Sequence, residues 1–225
     1  MSARLETVLN ALPYLLVGTV NTAIIVAAAM LIGLVIGVGA AVGLVYGPKW
    51  LRRGLTLYLW FFRGVPILAL LFLFYFGIFA RLDIQIPALA AVAVVLGLTT
   101  GAYQANIFRG AILALPRGQF QAASALGMSD ARAIRTIILP QALRIAIPAW
   151  SNEYSIILKD SALAFVIGAP EIMARAKFVA SRTYQHLPLY IAAGLLYFLL
   201  TWAGVAALRA LERKVRIPGY QGEDF

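Results

Sequence analysis

The sequence contains no cysteine, a single histidine, and charged residues at only 12% of its positions. Without cysteine there is neither a disulfide framework nor thiol chemistry. The one histidine, His186, has no second His or Cys to complete a metal site, so we expect it at the surface. So low a charged fraction is also unusual, because soluble domains carry about 25% Asp, Glu, Lys and Arg.

The signatures of several enzyme classes are missing as well. The segment from Gly43 to Lys49 comes nearest to a phosphate-binding glycine-rich loop, but it lacks the required spacing and hydroxyl. Neither a serine nucleophile elbow nor a cluster of carboxylates suggests hydrolysis. We therefore expect that the chain is not an enzyme and that it binds no metal, nucleotide or other cofactor itself.

Apolar residues dominate what is present. They make up 62% of the 225 residues, and the mean hydropathy is +0.87. This composition predicts one integral membrane domain. The net charge of +10 does not indicate nucleic acid, because the basic residues lie between or beside apolar runs, where they set topology. The apolar run from Thr7 exceeds a signal-peptide core of about 7–15 residues, so we expect it to be retained.

The apolar pattern predicts an all-α, polytopic membrane bundle of about five transmembrane helices, forming a single transmembrane domain over 1–225. The spans cover about 19–45, 55–80, 88–114, 149–167 and 187–208. Residues 1–18 form a surface lead-in broken near Pro13, and a short external helix runs from Pro170 to Arg182. The domain thus divides into the lead-in, spans 1–3 (19–114), a cytoplasmic region (115–147), spans 4–5 (148–212) and a cytoplasmic tail (213–225).

The basic residues favour an orientation with the N-terminus outside and the C-terminus in the cytoplasm, because cytoplasmic segments are richer in Lys and Arg. The predicted inside segments hold Lys49, Arg52, Arg53, Arg117, Arg132, Arg135, Arg144, Arg209, Arg213, Lys214 and Arg216. The predicted outside segments hold Arg4, Arg81, Arg175, Lys177 and Arg182.

Glycines recur in the first span at four-residue spacing. Gly33 with Gly37, and Gly39 with Gly43, form two Gly-x-x-x-Gly patterns. Small residues at this spacing let a second helix pack closely. The alternative is that these glycines reflect only the frequency of glycine in membrane helices.

The fourth predicted span contains the polar residues Glu153, Lys159, Asp160 and Ser161. Ionisable groups at membrane depth cost about 2.5–3.5 kcal/mol each on insertion scales. Glu153 and Asp160, seven positions apart, share one helix face and could line a polar translocation path. Alternatively, Lys159 pairs with a neighbour's carboxylate and locks the bundle. Arg63 lies near the start of the second span. It either lines the path or only extends its charged end to the membrane–water interface.

The stretch from Gly118 to Pro140 is rich in Ala, Gly, Ser and Arg, yet it separates two apolar segments. It predicts a short helix from Phe120 to Leu126, ended by Gly127 in a left-handed conformation, and a second short helix after Ser129. Three alanines leave the first helix nearly bare: Ala122, Ala123 and Ala125. Such a helix suits a groove on a soluble partner, although an ordinary interfacial helix is the alternative.

QAASALG, followed by ILPQALRIAIP, resembles the cytoplasmic signature of the permeases of binding-protein-dependent ABC importers. In that family the signature forms the coupling helix that docks on the ATP-hydrolysing subunit. The matching positions are Gln121, Ala122, Ala123, Gly127, Leu139 and Pro140. Gln121 replaces the usual Glu, so the resemblance implies docking without a salt bridge from this position.

Three further segments resemble the subfamily for polar amino acids: FFRGVPILALLFLFYFG, GAYQANIFRGAILALPRGQ and NEYSIILKDSALAFVIG. Val65 stands where Thr or Ser is usual, and Asn106 replaces a usual Glu. The resemblance implies a type I importer permease that moves amino acids by alternating access. An importer of another small polar solute, a secondary transporter and a membrane enzyme are the alternatives.

The resemblance also implies the surroundings of the chain. These are the bacterial cytoplasmic membrane with its lipid, a second permease subunit, two copies of an ATP-binding subunit that hold ATP and Mg, and an extracytoplasmic solute-binding protein. No nucleic acid is expected. The amides at Gln121 and Asn106 favour a related but different permease as partner, and a homodimer is the rival.

Overall fold

The computed structural model describes residues 3–215, with side chains from Leu5 onward, and this part is helical without strands. The predicted tail beyond Val215, including Arg216, and the side chain of Arg4 lie outside it. The helices are α1 (Ala3–Tyr46), α2 (Lys49–Gly64), α3 (Ile67–Phe72), α4 (Ala88–Leu113), α5 (Arg117–Ala125), α6 (Asp130–Ala133), α7 (Leu139–Asp160), α8 (Ile172–Thr183) and α9 (His186–Val215). Wider π-helical turns follow α3 (Leu73–Phe79) and α6 (Ile134–Ile138), and a 3-10 helix (Ser161–Ile167) follows α7.

The predicted break near Pro13 is wrong, because α1 runs through this residue as one helix of 44 residues. The ring of Pro13 is exposed, whereas Ala11 and Leu15 on either side of it are buried. Ala11 packs near Ala180 and Leu189, and Leu15 near Ile172. These contacts hold both sides of the proline in one helix.

The second predicted span is two helices rather than one. α2 meets the helix formed by α3 and its π-helical extension at an angle of 106°. Val65 is extended, with a ψ of 131°, because it precedes Pro66 and the residue before a proline is pushed out of the helical region. Pro66, with a ψ of 138°, is the N-cap of α3. Lys49, Arg52 and Arg53 therefore lie in α2 and not in a loop, and Arg63 lies at the end of a helix and not near a span start.

Fewer helices than predicted have the length and apolarity to cross a membrane. Over the described residues these are Leu5–Tyr46, Ala88–Leu113 and His186–Val215, with a fourth if the bent pair counts as one span. The predicted fourth span is not among them, because α7 carries Arg144, Glu153, Lys159 and Asp160.

The predicted boundaries around α7 are also wrong. The second predicted short helix is α6, which continues through the π-helical turn Ile134–Ile138 into α7, so the helix does not begin at Ala149 and runs past Pro148 to Asp160. Pro140 is the second residue of α7, which directly follows the wider π-helical turn.

Helices α1 and α4 pack closely because of their glycines. A Cβ atom on Gly33 would lie 2.5 Å from Nε2 of Gln104, and one on Gly37 would lie 2.7 Å from Cβ of Gln104. Gly43 faces Leu55 of α2 at 2.6 Å. The prediction fails at Gly39, because no described residue lies within 4 Å of a Cβ atom placed there, so this glycine takes part in no close packing within residues 3–215.

Helix α8 rests on α1 and α9 through its buried face, which includes Ile172, Ala176 and Ala180. It occupies the place of the short external helix predicted from Pro170 to Arg182. Helix α9 includes the predicted fifth span and begins at His186, which is exposed as expected. Large apolar side chains of α9 are exposed, among them Leu195, Phe198 and Trp202, as a lipid-facing helix requires.

Candidate functional site

A buried chain of hydrogen bonds joins α4 to α7 and ends on Glu153. The indole Nε1 of Trp150 donates to Oε1 of Gln104 at 2.8 Å. Nε2 of Gln104 donates to Oγ1 of Thr100 at 3.2 Å, and the Thr100 hydroxyl donates to Oε1 of Glu153 at 2.7 Å. We call Trp150, Gln104, Thr100 and Glu153 the polar chain.

The polar chain lies in the interior, between α1, α4 and α7. Gln104 and Thr100 are fully buried and Glu153 is only 3% exposed. Nε2 of Gln104 also lies 3.3 Å from the carbonyl oxygen of Met30 on α1. Within the described residues, no buried side-chain nitrogen or oxygen is left without a partner. The interior therefore accommodates these polar groups without an unpaired donor.

Sequence reasoning found Glu153 but missed the other three members of the polar chain. Thr100 and Gln104 are four positions apart on α4, so they share one face of an otherwise apolar helix. That face points at Gly33 of α1, whose missing side chain leaves the space that the amide fills. The spacing of two polar residues in an apolar span was the signal that could have identified them.

The other polar residues predicted for the path do not all share the environment of Glu153. Asp160 is half-buried at the end of α7. Lys159 is exposed, and within the described range no ion pair ties it to a carboxylate. Ser161 is fully buried, and its hydroxyl donates to the carbonyl oxygen of Leu158 at 2.7 Å, so it is not free to line a path.

Arg63 ends α2 beside the face of α4. Its guanidinium carbon lies 5.2 Å from the ring centroid of Tyr103, within the range of a cation–π contact. Glu153 and Asp160 lie two turns apart on the same helix, α7. Arg63 itself is exposed.

The segment around α5 matches the predicted helix–glycine arrangement. Gly127 has a φ of 75°, and Met128 N donates to Ala123 O at 3.1 Å while Gly127 N donates to Ser124 O at 3.0 Å. This pair of bonds is the Schellman ending of a helix, which favours glycine at the left-handed position. The predicted ending at Gly127 is therefore confirmed.

The exposed face of α5 differs in one residue from the prediction. Gln121, Ala122 and Ala125 are exposed, but Ala123 is buried and faces the protein. Leu126 is 81% exposed next to the small side chains. In α7, Leu139 is half-buried against the core and Pro140 is exposed. The exposed surface thus combines an amide, small side chains and one large apolar residue.

Helix α8 is fixed at its start by Glu171, the N-cap residue. Its carboxylate accepts bonds from the backbone N–H groups of Met173 and Ala174 at 2.7 and 2.6 Å, and from the hydroxyl of Tyr197. Burial raises the pKa of the Glu171 carboxyl, while these hydrogen bonds act to lower it. The carboxylate thereby ties α8 to α9.

The basic residues of α8 contact aromatic rings. The guanidinium carbons of Arg175 and Arg182 lie 4.3 and 4.1 Å from the centroids of Tyr14 and Phe178, and Nζ of Lys177 lies 4.8 Å from that of Phe165. Such contacts orient the cations without neutralising their charge. Over residues 3–215, no cluster of three His, Cys, Asp or Glu side chains could hold a metal ion.

Comparison with known proteins places the chain among membrane transport subunits. A family model described as binding-protein-dependent transport system inner membrane component matches residues 29–217. The probable amino-acid ABC transporter permease protein YckA of Bacillus subtilis is 36% identical over 206 residues, covering 92% of this chain and 91% of that protein. HisM of Salmonella typhimurium, a histidine/lysine/arginine/ornithine transport system permease protein, is 34% identical, covering 89% of each.

Solved structures agree with this similarity. A chain in the crystal structure of an amino acid ABC transporter with histidines has a TM-score of 0.83 and 32% identity, and the match covers 95% of this chain and 100% of that one. A chain of the MetNI methionine ABC transporter in an inward-facing conformation has a TM-score of 0.72 at 21% identity, covering 93% and 99%. The second match shows a shared fold.

Proposed function

Because the chain belongs to the family of binding-protein-dependent transport system inner membrane components, we propose that it moves an amino acid with a basic side chain across the bacterial cytoplasmic membrane. The chain is a transport subunit and not an enzyme, since ATP hydrolysis in an ABC importer belongs to a separate subunit. ATP and Mg are then held by that partner. The importer consists of this chain, a second permease, two ATP-binding subunits and a soluble binding protein.

Glu153 carries the proposal about the substrate. A carboxylate this deeply buried is costly unless it is hydrogen-bonded or meets a cation. Thr100 supplies one hydrogen bond, and Asp160 extends the negative charge along the helix. The relatives are named for histidine, lysine, arginine and ornithine, which all carry at least one cationic group, and for octopine. Another small polar solute with an ammonium group is the alternative substrate.

Helix α5 is the proposed coupling helix, and its exposed surface is the part that docks on the ATPase. Ala122 and Ala125 present no bulky side chain, so the helix backbone can approach a groove closely, while Leu126 offers an apolar anchor. The Schellman ending at Gly127 fixes where this helix stops. When ATP closes the ATPase pair, α5 moves with it, and the bundle rocks between inward-open and outward-open states as a rigid body.

The proposed orientation places the N-terminus and α8 outside and α5 in the cytoplasm. The larger number of Lys and Arg residues in the segments placed inside, taken over the whole chain, supports this orientation. On the outer side, the ring-supported cations of α8 offer charge to an acidic surface of the binding protein. The orientation of the chain and its contact with the binding protein both depend on the side of the membrane that α8 faces.

The second permease is proposed to be a related chain that differs from this one. Gln121 retains hydrogen-bonding atoms but loses the charge-assisted strength of a Glu, about half of it. A sister permease with Glu could hold the ATPase more firmly on its side. Two differently tagged copies of this chain, expressed with the ATPase alone, test the idea. Recovery of both tags in one transporting complex would show a homodimer instead.

Uptake into vesicles tests the function as a whole. Vesicles that contain the permease–ATPase complex should import radiolabelled arginine or histidine only when ATP is inside and the binding protein is outside. A secondary transporter would import without ATP, and a membrane enzyme would chemically change the amino acid. Import of neither amino acid by the complete system would refute the proposed substrate class.

A further inference from the structure

The polar chain runs in one direction, from Trp150 to Glu153. An indole N–H can only donate, so the atom of Gln104 that faces Trp150 is its acceptor, Oε1. The donor Nε2 of Gln104 then faces Oγ1 of Thr100. The Thr100 hydroxyl accepts that bond and directs its own hydrogen to Glu153. Both ends of the chain therefore fix the orientation of every group between them.

The last acceptor, Glu153, has only one of its oxygens engaged. Thr100 donates to Oε1 at 2.7 Å, and no other described group donates to the carboxylate. Within the described residues every buried side-chain oxygen has a partner, so the unbonded Oε2 is not sealed inside the protein. One oxygen is held by α4 while the other remains accessible to a donor that is not part of this chain.

We propose that Trp150, Gln104 and Thr100 are positioning residues for import, which hold Glu153 so that its free oxygen meets a cationic group of the passing solute. The proposal rests on the proposed function and adds residues that act through Glu153 without touching the solute. Aligned hydrogen bonds polarise one another, so each donor strengthens the next bond toward the carboxylate. The fixed geometry also avoids reorganisation of the site when the solute arrives.

A purely structural role is the competing explanation, because the same bonds connect α1, α4 and α7. The two roles differ in what the variants should do. A structural defect lowers the amount of complex and slows uptake and ATP hydrolysis together. A positioning defect lowers the number of solute molecules imported per ATP hydrolysed, since the ATPase cycle continues while the solute is held less well.

The experiment uses the complete importer in proteoliposomes, with the binding protein outside and radiolabelled arginine as the probe. Thr100→Val removes the donor at nearly constant shape, and Thr100→Ser keeps a hydroxyl as the matched control. Loss of a hydrogen bond to a charged group predicts about tenfold lower uptake per ATP for Thr100→Val. Thr100→Ser should stay close to the parent chain.

A more distant variant tests the chain at its other end. Trp150→Phe deletes the indole N–H and keeps an aromatic ring. The N–H of Trp150 donates to Gln104 and not to Glu153, so this variant leaves the hydrogen bond to Glu153 itself in place. Loss of one neutral hydrogen bond predicts about fivefold lower uptake per ATP. If Trp150 acts through Glu153, the same substitution made in a Glu153→Gln background should change the residual uptake no further.

Three results would overturn the inference. Equal uptake per ATP for Thr100→Val and Thr100→Ser would show that the donated bond does not matter. A Trp150→Phe effect that persists unchanged in the Glu153→Gln background would assign a structural role. If Glu153→Gln leaves no measurable uptake, the comparison of Thr100→Val with Thr100→Ser decides between the positioning role and the structural role. Absence of import by the parent importer, by contrast, would refute the proposed substrate class and the inference that rests on it.

Discussion

Nε2 of Gln104 occupies the space that a side chain on Gly33 would need, since a Cβ atom there would stand 2.5 Å away. The same Cβ would lie 2.5 Å from Cγ2 of Thr100. The glycine of α1 and the polar chain of α4 and α7 are thus one packing arrangement. A change on α1 should therefore disturb the environment of Glu153 without contacting it directly.

Gly33→Ala should destabilise the permease by about 1–3 kcal/mol, because the added methyl group forces the buried amide to move. Gly39→Ala is the matched control, since nothing lies within 4 Å of a Cβ at that position on the same helix. Thermal unfolding of the two purified variants in detergent gives the comparison. Equal melting temperatures would mean that Gly33 does not pack closely against α4.

Gly127→Val should weaken binding of the ATPase while the permease still folds. The left-handed φ of 75° costs an L residue about 1–2 kcal/mol, and a β-branched one more. Gly127→Asn is the control, because Asn tolerates this conformation. Among the described residues none lies within 4 Å of a Cβ at this position, so a loss reflects the backbone and not a clash. Co-purification of the ATPase and ATP-driven uptake measure it, and normal uptake by Gly127→Val would contradict the prediction.

Asp160→Asn should lower uptake while the complex remains assembled. If Asp160 contributes charge to the path, its neutralisation weakens attraction for a cationic solute but removes no packed side chain. If it is instead one partner of a buried ion pair, its loss should cost about 3–5 kcal/mol and the complex should dissociate. Detergent stability, measured beside uptake, separates these outcomes.

Glu171 should make the stability of the α8 region depend on pH. Burial raises the pKa of its carboxyl above the ordinary value of 4.5, so folding favours the protonated form. The contribution to the free energy of unfolding is full below the ordinary pKa and is lost as the pH rises through the raised value. Thermal unfolding across this range should show the decline, and Glu171→Gln should remove it. An unchanged pH profile in Glu171→Gln would exclude this carboxyl as the cause.

Cysteine labelling should place α5 and α8 on opposite sides of the membrane. The chain has no cysteine, so Ser124→Cys and Ser181→Cys each introduce a single reactive thiol at an exposed position. A membrane-impermeant maleimide should label the Ser181→Cys variant in intact cells and the Ser124→Cys variant only after permeabilisation. Labelling of both in intact cells would refute the proposed orientation.

The local sequence determined several features correctly. Composition alone identified a membrane protein, because an apolar majority can be stable only in lipid or a very large interior. Gly127 fixed the end of α5, since few other residues tolerate its backbone conformation. The resemblance of the stretch from Gly118 to Pro140 identified the family, which the comparisons confirm.

Tertiary structure decided the features that depend on contacts between distant residues. Packing of Ala11 and Leu15 keeps α1 straight enough to pass Pro13 as a helix, although the sequence predicted a break. Gly33 packs closely and Gly39 does not, although both fit the same pattern, because only one of them faces α4. The pattern gives spacing, while the neighbouring helix decides which positions are buried.

The site shows the same division. Glu153 was identifiable because a carboxylate in an apolar segment is costly and needs a reason. The spacing of Thr100 and Gln104 on an apolar helix marked them as a pair, but their roles and that of Trp150 depend on partners 46 or 53 positions away. The sequence by itself determined which residue needs a partner. Only the tertiary structure, by packing α4 against α1 and α7, decided which residues satisfy it.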